Sequence, residues 1–133
     1  MITRAHARYL RVSPFKIRQV IDLVRGKSAT VALDFLAQMN QKGAWMLAKI
    51  IKSAVANAKQ KGHEPESLVI SKVTADGGPM LKRFKAMSFG RAGAIRRRTA
   101  HVLVELDTTE KIIDVKSRAA SSTPARKTIK KGK

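Results

Sequence analysis

At 133 residues the chain has room for one domain with a modest core and extensions, and its 28 Lys and Arg against 9 Asp and Glu give a formal charge of +19. Such a charge repels itself in a free compact protein, so a polyanionic partner is expected, and nucleic acid fits because each neutralised phosphate releases counterions. No apolar run approaches the roughly 18 residues a spanning helix needs, the first residues carry no apolar signal core, and the absence of Cys removes any disulfide framework or thiolate metal site.

The first stretch, residues 2–12, alternates. Arg4, His6 and Arg8 fall on one face and Ala5, Ala7 and Tyr9 on the other, which reads as an extended segment with a basic face. A helix then opens with Ser13 as N-cap and Pro14 at the first helical position, where a missing N–H costs nothing. Ile17, Val20, Ile21 and Val24 form its apolar stripe, and Gly26 supplies the stop. Asp22 is placed to pair with Arg18 at i, i+4 spacing. Ser28 or Thr30 caps a shorter second helix through about Met39, with Ala32, Leu33 and Leu36 inward.

A third helix runs from about Lys42 to Lys61, with Ala44, Leu47, Ala48, Ile51, Ala54, Val55 and Ala58 on one face. Its ~20 residues span about 30 Å, and Gly62 ends it. Trp45, at its start, reads as a partly buried anchor, while Tyr9 fits core or RNA equally. After the turn-like segment 62–67 comes a strand from Leu68 to about Asp76. Its alternation is blurred, because Leu68, Val69, Ile70 and Val73 do not keep one face, so a bulge or burial on both sides is expected. A matching strand covers Thr99–Leu106, with Val102, Val104 and Leu106 on one side.

Between these strands no acid occurs from Gly77 through Val104. Lys82, Arg83, Lys85, Arg91, Arg96, Arg97 and Arg98 set positive charge along both limbs of a hairpin at about 78–99, and Gly90 and Gly93 allow the positive φ of a reversal. With limbs of about ten residues, the arm would reach roughly 30 Å. An isolated two-stranded ribbon is marginal in water, so this one makes physical sense embedded in RNA, where phosphates screen its charge and bases meet Phe84, Phe89, Met80 and Met87. The arginine fork grips phosphate well, which suits Arg96-Arg97-Arg98. The bland alternative is a solvated basic loop. Exclusion of acids and interleaving of apolar residues with the charges argue against it. Residues 111–133 form a basic tail with little to bury, expected to be disordered until it meets RNA.

His6, His63 and His101 are scattered, with no metal-ligand spacing, and the carboxylates form no evident acid–base pair. Neither metal, cofactor nor catalytic group is expected. Gly90-Arg91-Ala92-Gly93 formally fits the clamp of KH domains, but its flanks are extended rather than helical.

Several motifs carry a resemblance to a known family: Arg8-Tyr9-Leu10-Arg11-Val12-Ser13-Pro14-Phe15-Lys16, Leu23-Val24-Arg25-Gly26-Lys27, Ser53-Ala54-Val55-Ala56-Asn57-Ala58, and Lys82-Arg83 followed by Gly90-Arg91-Ala92 and Arg98-Thr99-Ala100-His101. In this order and spacing, from about residue 4 to 107, they are similar to the universal ribosomal protein 22 family of the large subunit. The resemblance implies an α+β domain over 1–110, with three helices on a small antiparallel three-stranded sheet and a long protruding hairpin. It implies binding to large-subunit (23S) rRNA among neighbouring ribosomal proteins, in a cytoplasmic or organellar ribosome, without membrane or homo-oligomer. The hairpin tip, Met87, Ser88, Phe89, Gly90, Arg91 and Ala92, would line the nascent-peptide exit tunnel, where family changes alter macrolide sensitivity.

Two departures from the family pattern stand out. Phe15 replaces a common Arg, and Ala86-Met87-Ser88 replaces Pro-Arg-Ala, which makes a less stiff and less charged tip. Residues expected at rRNA are Arg4, His6, Arg8, Arg11, Lys16, Arg18, Arg25, Lys27 and His101, with the seven hairpin cations. The rival binding reading is an architectural DNA-binding protein with a basic β-arm, although the wedge such an arm carries at its tip is absent and Pro79 lies at its base.

Overall fold

The computed structural model describes residues 2–108. The basic tail expected over 111–133 lies outside the described residues. The elements are β1 (Thr3–Leu10), α1 (Pro14–Val24), α2 (Ala29–Gln38), α3 (Lys42–Gln60), β2 (Leu68–Gly77), β3 (Leu81–Ala86), β4 (Ala92–Arg97) and β5 (Ala100–Thr108). β1, β5 and β2 form an antiparallel sheet in that order, and β3 pairs with β4 in a separate two-stranded ribbon.

The sheet has one apolar face and the helices cover it. Ala5 of β1, Leu68, Ile70, Val73 and Ala75 of β2, and Ala100, Val102, Val104 and Leu106 of β5 are all buried. Against them lie the α1 stripe Ile17, Val20, Ile21 and Val24, and Leu47, Ile51, Ala54 and Ala58 of α3. The small residues of α3 let its backbone approach closely: the buried Thr3 hydroxyl donates to the Ala54 carbonyl at 3.4 Å. Each large aliphatic side chain removed from water here stabilises the fold by roughly 1.5–3 kcal/mol.

The blurred pattern of β2 has a local cause. Its register to β5 shifts between Ile70 and Lys72, so Ser71 is an extra residue, and its hydroxyl donates to the Glu105 carbonyl at 3.1 Å. The bulge resets the alternation so that Leu68, Ile70, Val73 and Ala75 all face inward. The free side of β2 is covered by the segment after α1. Gly26 N–H donates to the Ile70 carbonyl at 3.1 Å, and Ile70 N–H to the Lys27 carbonyl at 3.0 Å.

Gly26 makes that connection at φ +77, and a Cβ added there would meet nothing within 4 Å. The cost of Gly26→Ala is therefore backbone strain alone, about 1–2 kcal/mol, with no steric component. Urea denaturation should show a lower midpoint at unchanged slope; a slope change would point to an altered ensemble instead.

Four local expectations need correction. Tyr9 does not share the inward face of Ala5 and Ala7. It adopts φ +56 where the β1 register to β5 shifts between Ala7 and Leu10, which turns its ring outward. Trp45 is 59% exposed and is capped by the Lys49 ammonium, 3.8 Å from its ring centroid, because its helix position points off the buried stripe. Asp22 pairs with Arg25 at 3.3 Å rather than with Arg18, whose guanidinium is drawn across to the Ala75 carbonyl of β2. Ser13 occupies the N-cap position without a side-chain capping bond.

Candidate nucleic-acid interface

The chain leaves the sheet at Gly78 and returns at Thr99. Gly78 N–H donates to the Thr99 carbonyl at 2.9 Å, and the Thr99 hydroxyl donates to the Pro79 carbonyl at 2.7 Å. Beyond this clasp β3 and β4 pair in strict register, from Leu81 opposite Arg97 to Ala86 opposite Ala92. Six paired residues per limb give the ladder a length of about 20 Å, shorter than ten-residue limbs imply. Pro79, Met80 and Arg98 lie in the unpaired base.

The reversal is made by Phe89 (φ +58) and Gly90 (φ +66), while Met87 N–H donates to the Arg91 carbonyl at 2.8 Å. Gly93 takes no part in the turn, contrary to the expectation from its backbone freedom. It has no positive φ and sits in the ladder opposite Lys85, where a Cβ would stand 2.7 Å from the Met87 sulfur. Its role is to leave room for the Met87 side chain.

Every residue of β3 is exposed, and Phe84 and Phe89 are 75% and 96% exposed. Lys82 stands directly opposite Arg96. Like charges facing each other across a ribbon are destabilising by several tenths of a kcal/mol, roughly, and no acid between Gly77 and Val104 relieves them. The ribbon therefore has no core and carries unscreened charge on both limbs.

At the arm's base the fold gathers a second group of cations. A cleft of about 960 Å³ opens between the start of α1, the start of α3 and the root of the arm, and Arg11, Lys16, Lys42, Arg96, Arg97 and Arg98 line it. Ser13 and Gln41, the N-cap positions of α1 and α3, also line it and make no side-chain capping bonds. Two positive helix ends and six cations therefore converge on one concavity, an arrangement suited to phosphate.

Five of these six cations are among the residues expected at RNA from the sequence; Lys42 is not. A usable signal existed, because a lysine in the first turn of a helix opposes the macrodipole and calls for an anion nearby.

The remaining expected residues divide into two groups. Arg4, His6 and Arg8 lie on the sheet face away from the helices, where Arg4 and His6 are exposed and Arg8 is exposed beside a half-buried Ala7, and His101 is half-buried beside them. Arg18, Arg25 and Lys27 are engaged within the protein. Arg18 donates to the Ala75 carbonyl at 2.9 and 3.1 Å, and Arg25 donates to the Val73 carbonyl at 3.3 Å. The Lys27 ammonium lies 4.5 Å from the Phe35 ring centroid. Arg18 and Arg25 thus tie α1 to β2, a structural task that helical spacing alone does not reveal. Among the described residues, no three His, Asp or Glu side chains converge as metal ligands.

Comparison with known proteins places this geometry. Residues 5–107 match the family model described as ribosomal protein L22p/L17e. The chain is 50% identical over 107 residues to the large ribosomal subunit protein uL22 of Desulfatibacillum aliphaticivorans, covering 80% of this chain and 99% of that protein. It is 50% identical over 103 residues to its namesake from Sulfurihydrogenibium sp. (strain YO3AOP1), covering 77% and 89%. The corresponding protein of Syntrophomonas wolfei is 46% identical over 107 residues, covering 80% and 95%.

Proposed function

On the premise that the chain belongs to the ribosomal protein L22p/L17e family, and is thereby a structural constituent of the large ribosomal subunit, we propose that it binds large-subunit (23S) rRNA through the arm and the basic cleft at its root. The observation that carries this reading is the acid-free ribbon, without a buried residue, that projects from a sheet whose own core is complete without it.

Arg11, Lys16, Lys42 and Arg96–Arg98 hold phosphates at the cleft. The arm threads between RNA elements, with Lys82, Arg83, Lys85 and Arg91 against backbone on either side. Most contacts are to phosphate and shape, because A-form grooves keep base edges from side chains. Arg4, His6, Arg8 and His101 extend the contact across the outer sheet face. Neighbouring large-subunit proteins are the other fixed partners.

The tip, Met87–Ala92, lines the nascent-peptide exit tunnel. Its exposed Met87 and Phe89 present apolar surface to passing peptide, and Arg91 remains near tunnel RNA. Deleting Met87–Ala92 should leave thermal unfolding close to wild type and lower rRNA affinity only by the one phosphate contact of Arg91, while changing the macrolide sensitivity of ribosomes that carry the variant. Global unfolding on deletion, or an unaltered drug response, would count against the tip's assignment.

A further inference from the structure

In the main sheet, Tyr9 is the one described residue other than glycine with a left-handed backbone; its φ is +56. Left-handed backbone is strained for a residue with a Cβ, and it persists only where surrounding structure enforces it. Two features enforce it here. Tyr9 N–H donates to His101 Nδ1 at 3.1 Å, and the β1 register to β5 shifts between Ala7 and Leu10. Leu10 returns to pair opposite Ala100 and packs on the core, while the Tyr9 ring swings to the outer face and is 61% exposed.

The ring is exposed but held. It meets the His101 imidazole edge-on, with centroids 4.8 Å apart at 84°. His6 meets the same imidazole at 6.4 Å and 69°. His101 also lies close to Gly78, where a Cβ would stand 3.1 Å from its Nε2, so a side chain there would displace the imidazole. Glycine at position 9 would take the same backbone path without strain and make the same N–H bond. What tyrosine adds is an aromatic face, turned away from the core.

The surroundings fit an anionic polymer. Arg8 and Arg11, close to Tyr9 in the chain, are exposed, and no acid occurs among the first 21 residues. Asp76, the acid in register with His101, lies on β2, across β5 from Tyr9.

We propose that Tyr9, propped by His101, is a stacking site for one unpaired nucleobase of the RNA, with Arg8 on an adjoining phosphate. This rests on the rRNA-binding reading above and names the part of the RNA that the outer sheet face takes: a base splayed from its helix, since single-stranded bases are what aromatic side chains stack.

The test uses the full-length protein and a transcript of large-subunit rRNA, with affinity measured over a salt series and thermal unfolding measured alongside. Removing one base–aromatic stack should weaken binding roughly 5- to 150-fold. Tyr9→Gly should show that drop with the salt dependence of wild type, since every cation is retained, and should melt no lower than wild type because the backbone strain is gone. Tyr9→Phe should bind like wild type. Tyr9→Leu, which keeps an apolar side chain without a ring, should repeat the drop and guards against poor folding of the glycine variant.

Wild-type affinity for Tyr9→Gly and Tyr9→Leu would overturn the stacking site, as would a weakening that only tracked a lower melting temperature. Under either result, weakened binding by a variant with Gln at Arg96, Arg97 and Arg98 would leave the rRNA reading standing. If the wild-type protein showed no salt-dependent binding, that reading would fail and the stacking site with it.

Discussion

Replacing Arg96, Arg97 and Arg98 together by Gln should weaken binding to a large-subunit rRNA transcript on the order of 100-fold at physiological salt and flatten its salt dependence. The three residues lie at the junction where β4 leaves the ribbon and re-enters the sheet, and all three line the cleft shared with Arg11, Lys16 and Lys42. The slope of log K against log salt should fall by about 0.7–0.9 for each phosphate no longer neutralised, or by about 2–3 if all three arginines meet phosphate. None of the three side chains contributes to the core, so thermal unfolding should be unchanged or slightly raised as self-repulsion is relieved. Glutamine stays polar and flexible but is shorter and uncharged, so the drop in affinity reads the lost charge and bidentate fork together with their reach. A weakened affinity at an unaltered salt slope would mean that these arginines act through shape alone and do not neutralise phosphate.

The parts of this molecule legible in the sequence are those where a period repeats over several residues. The α1 stripe of Ile17, Val20, Ile21 and Val24 and the β5 alternation of Val102, Val104 and Leu106 are both buried as their spacing requires. The acid-free run that marks the arm is likewise a composition signal many residues long. Where one residue departs from the period, sequence reasoning loses the thread. The bulge at Ser71 is visible there only as a blur, and the kink at Tyr9 is invisible, because nothing in Arg-Tyr-Leu-Arg specifies a left-handed tyrosine.

The other unreadable features depend on partners far apart in the chain. Arg18 reaches the Ala75 carbonyl across 57 positions, so its helical neighbour Asp22 is the wrong partner to choose. The cleft joins residue 11 to residue 98 through the folded sheet, and Lys42 enters it only because α3 lies beside α1. Trp45 misleads for a related reason: helix position decides burial, and large apolar size does not.

Removing the arm altogether should separate folding from binding most sharply. Gly77 pairs with Ala100 and Gly78 N–H bonds the Thr99 carbonyl, so an Asn-Gly pair in place of residues 79–98 closes a two-residue hairpin on an existing register. No core residue falls within the removed segment, since the last buried apolar residue of β2 is Ala75 and the first of β5 is Ala100. The shortened protein should therefore unfold cooperatively at or above the wild-type temperature, with the largest gain at low salt, because Lys82, Arg83, Lys85, Arg91, Arg96, Arg97 and Arg98 no longer repel one another. Its rRNA affinity should fall below that of the triple glutamine variant, and the salt slope should drop by about 5–6 if all seven cations meet phosphate. Calorimetry and filter binding on the same preparation check both halves. A shortened protein without cooperative unfolding would show that the ribbon supports the sheet; one that kept wild-type affinity would place the RNA contact on the helices and outer sheet face instead.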